Sequence, residues 1–214
     1  MTQNPFSNFS RRGLLLSGAS AFVLTGCSGL IGPTSTPQLY LLKAQGGAST
    51  DGPRVKWQLS IMTPDTSGHL DSVRIALVQS DTTLDYYANA EWPDQLPILV
   101  QGGLLEAFEN SGRIAGVARD SAGLHANYLL QTELRNFEAR YDAPDGIPTA
   151  VVHIEAKLVH SRGRSIVANL SVVKEVPATQ NSVAGAVQAL DAAFGAARAD
   201  IVNWTLSAPA PKDD

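Results

Sequence analysis

Few side chains in this sequence are of types that do chemistry: one cysteine, Cys27, and four histidines, His69, His125, His153 and His160. A lone cysteine closes no disulfide within its own chain, and a thiolate zinc site needs more than one. No histidine stands in a His-Glu-x-x-His pattern or beside a Gly-x-Ser-x-Gly nucleophile turn. His153 and His160 lie an odd number of residues apart on one predicted strand, so a regular strand points them to opposite faces and away from a shared metal. The spacing assigns no catalytic residue, no metal and no cofactor; a triad assembled in space is a matter for the tertiary structure. Gly102-Gly103 lacks the Lys-Ser/Thr of a phosphate-binding loop and sits inside a helical stripe, which reads as a point of close helix packing. Asp213-Asp214 reads as solvated tail.

Composition narrows the classes. The chain has 214 residues, 44% hydrophobic and 17% charged, a globular balance that excludes disorder and collagen-like repetition. Its net charge is −4, and its basic residues are scattered singly, so no counterion-release term favours nucleic acid.

The N-terminus holds the most specific pattern. Polar residues 1–9 precede Arg11-Arg12 and an apolar run from Leu14 to Leu24, the layout of an export signal. That run is too short for a permanent span, which takes about 20 apolar residues. Leu24-Thr25-Gly26-Cys27 follows and resembles the lipobox of bacterial lipoproteins, in which a thiol, a better nucleophile than a hydroxyl, receives diacylglycerol and then heads the mature chain. Three acyl chains at about 0.8 kcal/mol per buried CH₂ hold far more firmly than one. Cys27 is therefore the expected lipidation site, residues 1–26 the expected signal peptide, and residues 27–38, rich in Gly, Pro, Ser and Thr, a flexible tether. Ser28 in place of aspartate resembles the outer-membrane sorting pattern. Ser10-Arg11-Arg12 fits a twin-arginine signal or an ordinary basic leader.

The remaining chain alternates between the two periodicities. Leu39–Leu42 reads as a first strand, and period two marks strands at Trp57, Leu59 and Ile61; at Val73, Ile75 and Leu77; and from Tyr128 to Leu134. Ile114–Ala118 reads as a short strand. Residues 152–158 and 166–172 alternate on either side of Ser161-Arg162-Gly163-Arg164, an antiparallel hairpin. Steps of four from Leu96 to Phe108 predict a helix over 96–110, with Asp94 as its cap, Pro97 in its first turn and Gly112 at its end. The longest helix is expected over Ser182–Leu206, with a narrow seam of Val183, Val187, Leu190, Phe194, Ala197, Ile201 and Trp204 to bury against the sheet or another helix. Tyr86, Tyr87 and Trp92 fall in a loop-like stretch and are candidate interaction residues. These elements predict an α+β domain of mostly antiparallel sheet over residues 39–206, with two main helices packed on one face, and a disordered tail over 207–214.

The order of these pieces resembles the ABC-type transport auxiliary lipoproteins, the PqiC-like family. The resemblance rests on Leu39-Tyr40-Leu41-Leu42, Val73–Leu77, Leu84–Tyr87 through Glu91-Trp92, Pro97–Gln101, Leu104–Ile114, Tyr128–Phe137 and Ile201–Trp204. It implies a non-catalytic lipoprotein subunit of an MCE-type lipid transport system, held by its lipid anchor to the periplasmic face of the outer membrane. Its implied partners are an MCE-domain periplasmic protein and the permease and ATPase of the same system, and it is compatible with a homo-oligomer. A lipoprotein that binds lipid in a cleft of its own, between helix and sheet, is the alternative.

Overall fold

In the computed structural model, residues 36–43, 49–80, 82–143 and 145–210 are described. The expected signal peptide, Cys27, the tether up to residue 35 and the last four residues of the tail lie outside them. The chain divides after Thr36, and the folded unit begins at Pro37.

Strand β7 (Tyr128–Arg140) organises the sheet, because it pairs along both of its edges. One edge pairs along its length with β8 (Thr149–His160), which pairs in turn with β9 (Ile166–Pro177), both antiparallel. The other edge is shared by three parallel neighbours in succession: β2 (Val55–Ile61) at Tyr128–Leu130, β3 (Asp65–Thr66) at Glu133–Leu134, and β4 (Arg74–Ser80) at Glu138–Arg140. Beyond them lie β6 (Ile114–Arg119) beside β2, and β5 (Thr83–Glu91) beside β4, with β1 (Gln38–Leu39) on β5. The long ladders are antiparallel and the parallel contacts are short, so the α+β reading holds with a mixed sheet.

Alternation decides the faces. Tyr128, Leu130, Thr132 and Leu134 point inward; Arg135 is an extra residue opposite His153, and the inward set resumes at Phe137 and Ala139. Helix α1 (Leu96–Ser111) and helix α2 (Val183–Leu206) cover this inner face. The outer face carries Glu133, Arg135, Glu155, Lys157 and Glu175 and is open to water.

The helices start and stop close to the expected residues. Ser182 caps α2, its hydroxyl accepting from the Gly185 amide at 3.0 Å. Gly112 ends α1 at φ 60°, a left-handed position that glycine adopts without penalty. Asp94, however, is not the cap of α1. Gln95 holds that place without a side-chain bond, while Asp94 accepts from the Gln95 amide one residue too early.

Three further expectations are corrected. The first strand is only Gln38–Leu39, because Leu41 turns away from β5 and is 59% exposed. The stretch read as a loop around Tyr86 is strand β5; its alternation is broken by an irregular register opposite Arg74–Ala76 and by Asn89 at φ 54°. The seam of α2 is not narrow. Gly185, Ala186, Ala189, Ala193 and Val202 are buried beside the expected residues, while Val183 and Trp204 are half-exposed, because small residues let α2 sink between β8, β9 and α1.

Candidate functional site

The three aromatic candidates do not form one cluster. Trp92 is 1% exposed and meets Phe137 edge-on at 6.1 Å, so its indole is core and presents nothing to a partner. Tyr86 and Tyr87 are neighbours on a strand and point to opposite faces. The Arg74 guanidinium lies 3.7 Å from the centre of the Tyr86 ring, and the Tyr86 hydroxyl donates to the His69 carbonyl at 3.2 Å. The Tyr87 and Tyr141 hydroxyls are 2.8 Å apart, and Tyr141 donates onward to Asn181. Burial, then the bond to Tyr141, pushes the Tyr87 phenol far above its ordinary range, so it stays neutral.

The histidines separate as alternation requires. His160 faces inward, its ring 4.7 Å from that of Tyr128, and His153 faces outward. His69 bonds Ser67, and His125 is exposed.

Around His153 the fold assembles a trio that the sequence does not announce. Ser171 Oγ donates to Glu155 Oε1 at 2.8 Å, and His153 Nε2 lies 3.1 Å from the same oxygen and 3.3 Å from Ser171 Oγ. A hydrolytic triad needs the acid on one ring nitrogen and the hydroxyl on the other. Here both crowd Nε2 and the serine proton goes to glutamate, so this geometry has no proton relay. Its effect is electrostatic: the Ser171 hydroxyl, then His153 and Arg135, hold the Glu155 carboxyl below its ordinary range. Among the described residues no group of three His, Cys, Asp or Glu is placed to hold a metal ion.

Gly102-Gly103 is a packing point. A β-carbon on Gly103 would stand 2.6 Å from Phe194 Cε1, so only glycine admits that ring. Arg198, 2% exposed, donates from α2 to the Gly103 carbonyl at 3.2 Å. Burial lowers its hold on the proton, and the charges of Glu106 and Asp191 oppose that.

Two features escaped the sequence reading. Arg113, 3% exposed, clamps three segments, donating to the carbonyls of Pro53 and Ser49 at 3.3 Å each and to Asn203 Oδ1 at 2.7 Å. A single arginine after a glycine carries no periodicity that would reveal this. The second is a groove of about 760 Å³ between Leu39–Lys43 and α2, floored by Ala184, Ala192, Gly195, Ala196 and Ala199. Its signal was legible: small residues recur at helical spacing on the side of α2 opposite Ile201.

Fold and surfaces together define a two-layer α+β domain with one covered and one open sheet face, and among its described residues no helix is long and apolar enough to cross a membrane. The chain belongs to the family of the ABC-type transport auxiliary lipoprotein component, whose model matches residues 40–202. The crystal structure of XCC0632 from Xanthomonas campestris superposes with a TM-score of 0.74 at 29% identity, covering 79% of this chain and 94% of that one. A second solved structure, of an uncharacterized protein, shares the fold with a TM-score of 0.61 at 18% identity over 79% of this chain and 99% of its own. An uncharacterized protein of Bradyrhizobium diazoefficiens is 30% identical over 122 residues, 57% of this chain and 32% of that protein. This chain thus spans about a third of the length of that relative.

Proposed function

We infer that this protein is the lipid-anchored, non-catalytic accessory subunit of an MCE-type intermembrane lipid transport system. In this reading Cys27 carries the lipid, the anchor sits in the periplasmic leaflet of the outer membrane, and the residues between Cys27 and the folded unit, which begins at Pro37, tether the domain. The domain docks the periplasmic MCE-domain protein, while the permease and ATPase are separate chains. The observation that carries it is membership of the transport auxiliary lipoprotein family over residues 40–202, directly behind Leu24-Thr25-Gly26-Cys27. A short leash raises the effective concentration of the domain at its partner, so a modest interface stays occupied. Affinity capture of the membrane-extracted, crosslinked protein should recover an MCE-domain chain; recovery of none sinks the reading.

A second reading, a lipoprotein that itself binds lipid, is favoured by the groove beside α2. The space between α2 and the sheet is filled, with Leu190, Phe194, Ala197 and Ile201 fully buried, so a ligand would have to lie on the helix's other side. Native mass spectrometry of the protein incubated with phospholipid decides it: no bound lipid removes this reading.

A further inference from the structure

At the end of the sheet where β7 begins, three segments are bonded together. The Ser161 amide donates to the Asn127 carbonyl at 3.0 Å, and its hydroxyl donates to the Ala126 carbonyl. The Asn127 amide donates to the Gln58 carbonyl at 2.9 Å, and Asn127 Oδ1 accepts from the Gln58 amide at 2.9 Å. The β6–β7 loop and the β8–β9 turn are therefore bonded to β2 at its middle residue, Gln58, and the parallel pairing of β2 with β7 carries Lys56 and Arg54 on to this same end, which forms one tip. From it stand Leu124 and Ile166, 52% and 56% exposed, with exposed Arg54, Lys56, Arg162 and Arg164.

A single exposed leucine means little; the cations around these two residues distinguish them. On the open sheet face Arg135 is paired with Glu133 and Glu155, and Arg140 with Asp142 and Glu175. None of the four tip cations forms an ion pair with a described residue. Asp51 is the one carboxylate in the loop before Arg54. In a chain of net charge −4, this end runs against the whole. The backbone also sets these side chains in place. Gly123 and Gly163 are left-handed, at φ 65° and 72°, and Arg164 is too, at φ 53°, where glycine or asparagine would fit with less strain.

The tip also lies far from where the chain enters. Pro37 leads into β1 beside Ala90 and Glu91 of β5; Glu91 pairs with Arg74, and Ala76, two residues on, pairs with Glu138 of β7, whereas the tip adjoins the opening residue of β7, Tyr128. From Tyr128 to Glu138 β7 runs about 33 Å at about 3.3 Å per residue. We propose that this tip is the surface by which the domain engages its protein partner, and that the partner presents an apolar patch ringed by carboxylates. This rests on the docking reading above and adds which surface is used and what chemistry it meets.

The test is photocrosslinking in cells with the full, anchored chain. Benzoylphenylalanine replaces Leu124 or Ile166 at the tip, or Ile147, 59% exposed in the β7–β8 loop at the opposite end. The proposal expects an MCE-domain chain captured from 124 and 166 and not from 147, with yield falling about tenfold when R162E/R164E is added. A thermal melt of that variant matching the wild type separates lost contact from lost fold. Capture of the MCE chain from 147 alone, capture of only a second copy or only lipid at the tip, or indifference to charge reversal would overturn the tip assignment and leave the docking reading standing. Capture of no MCE chain from any position would overturn both.

Discussion

Gly103 on α1 and the ring of Phe194 on α2 share a space that no β-carbon can enter: one built on Gly103 would lie 2.6 Å from Cε1 and 2.9 Å from Cζ. Two effects of opposite sign follow for Gly103→Ala. Alanine favours the helix by about 1 kcal/mol, but overpacking a fixed aromatic costs about 1–3 kcal/mol, so the clash wins. Gly102→Ala meets only the Arg119 Nη2 tip at 3.2 Å, the far end of an exposed side chain that can move. Urea unfolding should show Gly103→Ala destabilised by up to about 2 kcal/mol and Gly102→Ala unchanged or slightly stabilised. Equal effects would refute the packing account.

Arg113 is a buried cation solvated by protein carbonyls and one amide. Removing it leaves the acceptors at Pro53, Ser49 and Asn203 without their donor. Hydrogen bonds to charged groups contribute about 1.5–3 kcal/mol, and with partial compensation by water Arg113→Ala should cost about 2–4 kcal/mol in chemical denaturation. A loss under 1 kcal/mol would mean that the clamp is incidental.

Thr132 faces the core between Leu130 and Leu134, 4% exposed, and its hydroxyl has no hydrogen-bond partner among the described residues. Thr132→Val replaces that hydroxyl with a methyl of similar shape, and it should raise stability by about 1 kcal/mol. Destabilisation would show that the hydroxyl is satisfied.

Glu155 makes stability depend on pH. Its folded carboxyl titrates below the ordinary value of 4.5, chiefly through Ser171, with His153 and Arg135 adding to it. A depressed acid contributes fully above its unfolded pKa and loses that contribution as pH falls through the folded one. The wild-type melting temperature should therefore drop from pH 4.5 downward more steeply than that of Glu155→Gln, with Ser171→Ala in between. Parallel curves would remove Glu155 from the account.

Cys27→Ser keeps the leader and removes the thiol. The protein should lose incorporation of labelled palmitate and move from the membrane to the soluble fraction. Continued membrane association of the serine variant would argue against a lipid anchor at this position.

What the sequence determined alone is whatever a period or a local bond decides. Apolar steps of three and four placed α1 and α2, Ser182 and Gly112 marked their ends, and strict alternation gave the hairpin of β8 and β9 and the opposed faces of His153 and His160. The transport auxiliary lipoprotein family was also legible, because it is written in contiguous packing stretches over residues 40–202. Tertiary structure decided what depends on partners distant in the chain. Strand β5 has no clean alternation and exists because β4 and β1 complete its backbone bonds. Trp92, a candidate interaction residue by its place in the sequence, is buried against Phe137, 45 positions on. The Arg113 clamp joins residues 90 positions apart, and the tip becomes one surface only when Gln58, Asn127 and Ser161 bond across a strand, a loop and a turn. Periodicity reports how one element meets the core; it carries no information on which surfaces of different elements meet each other.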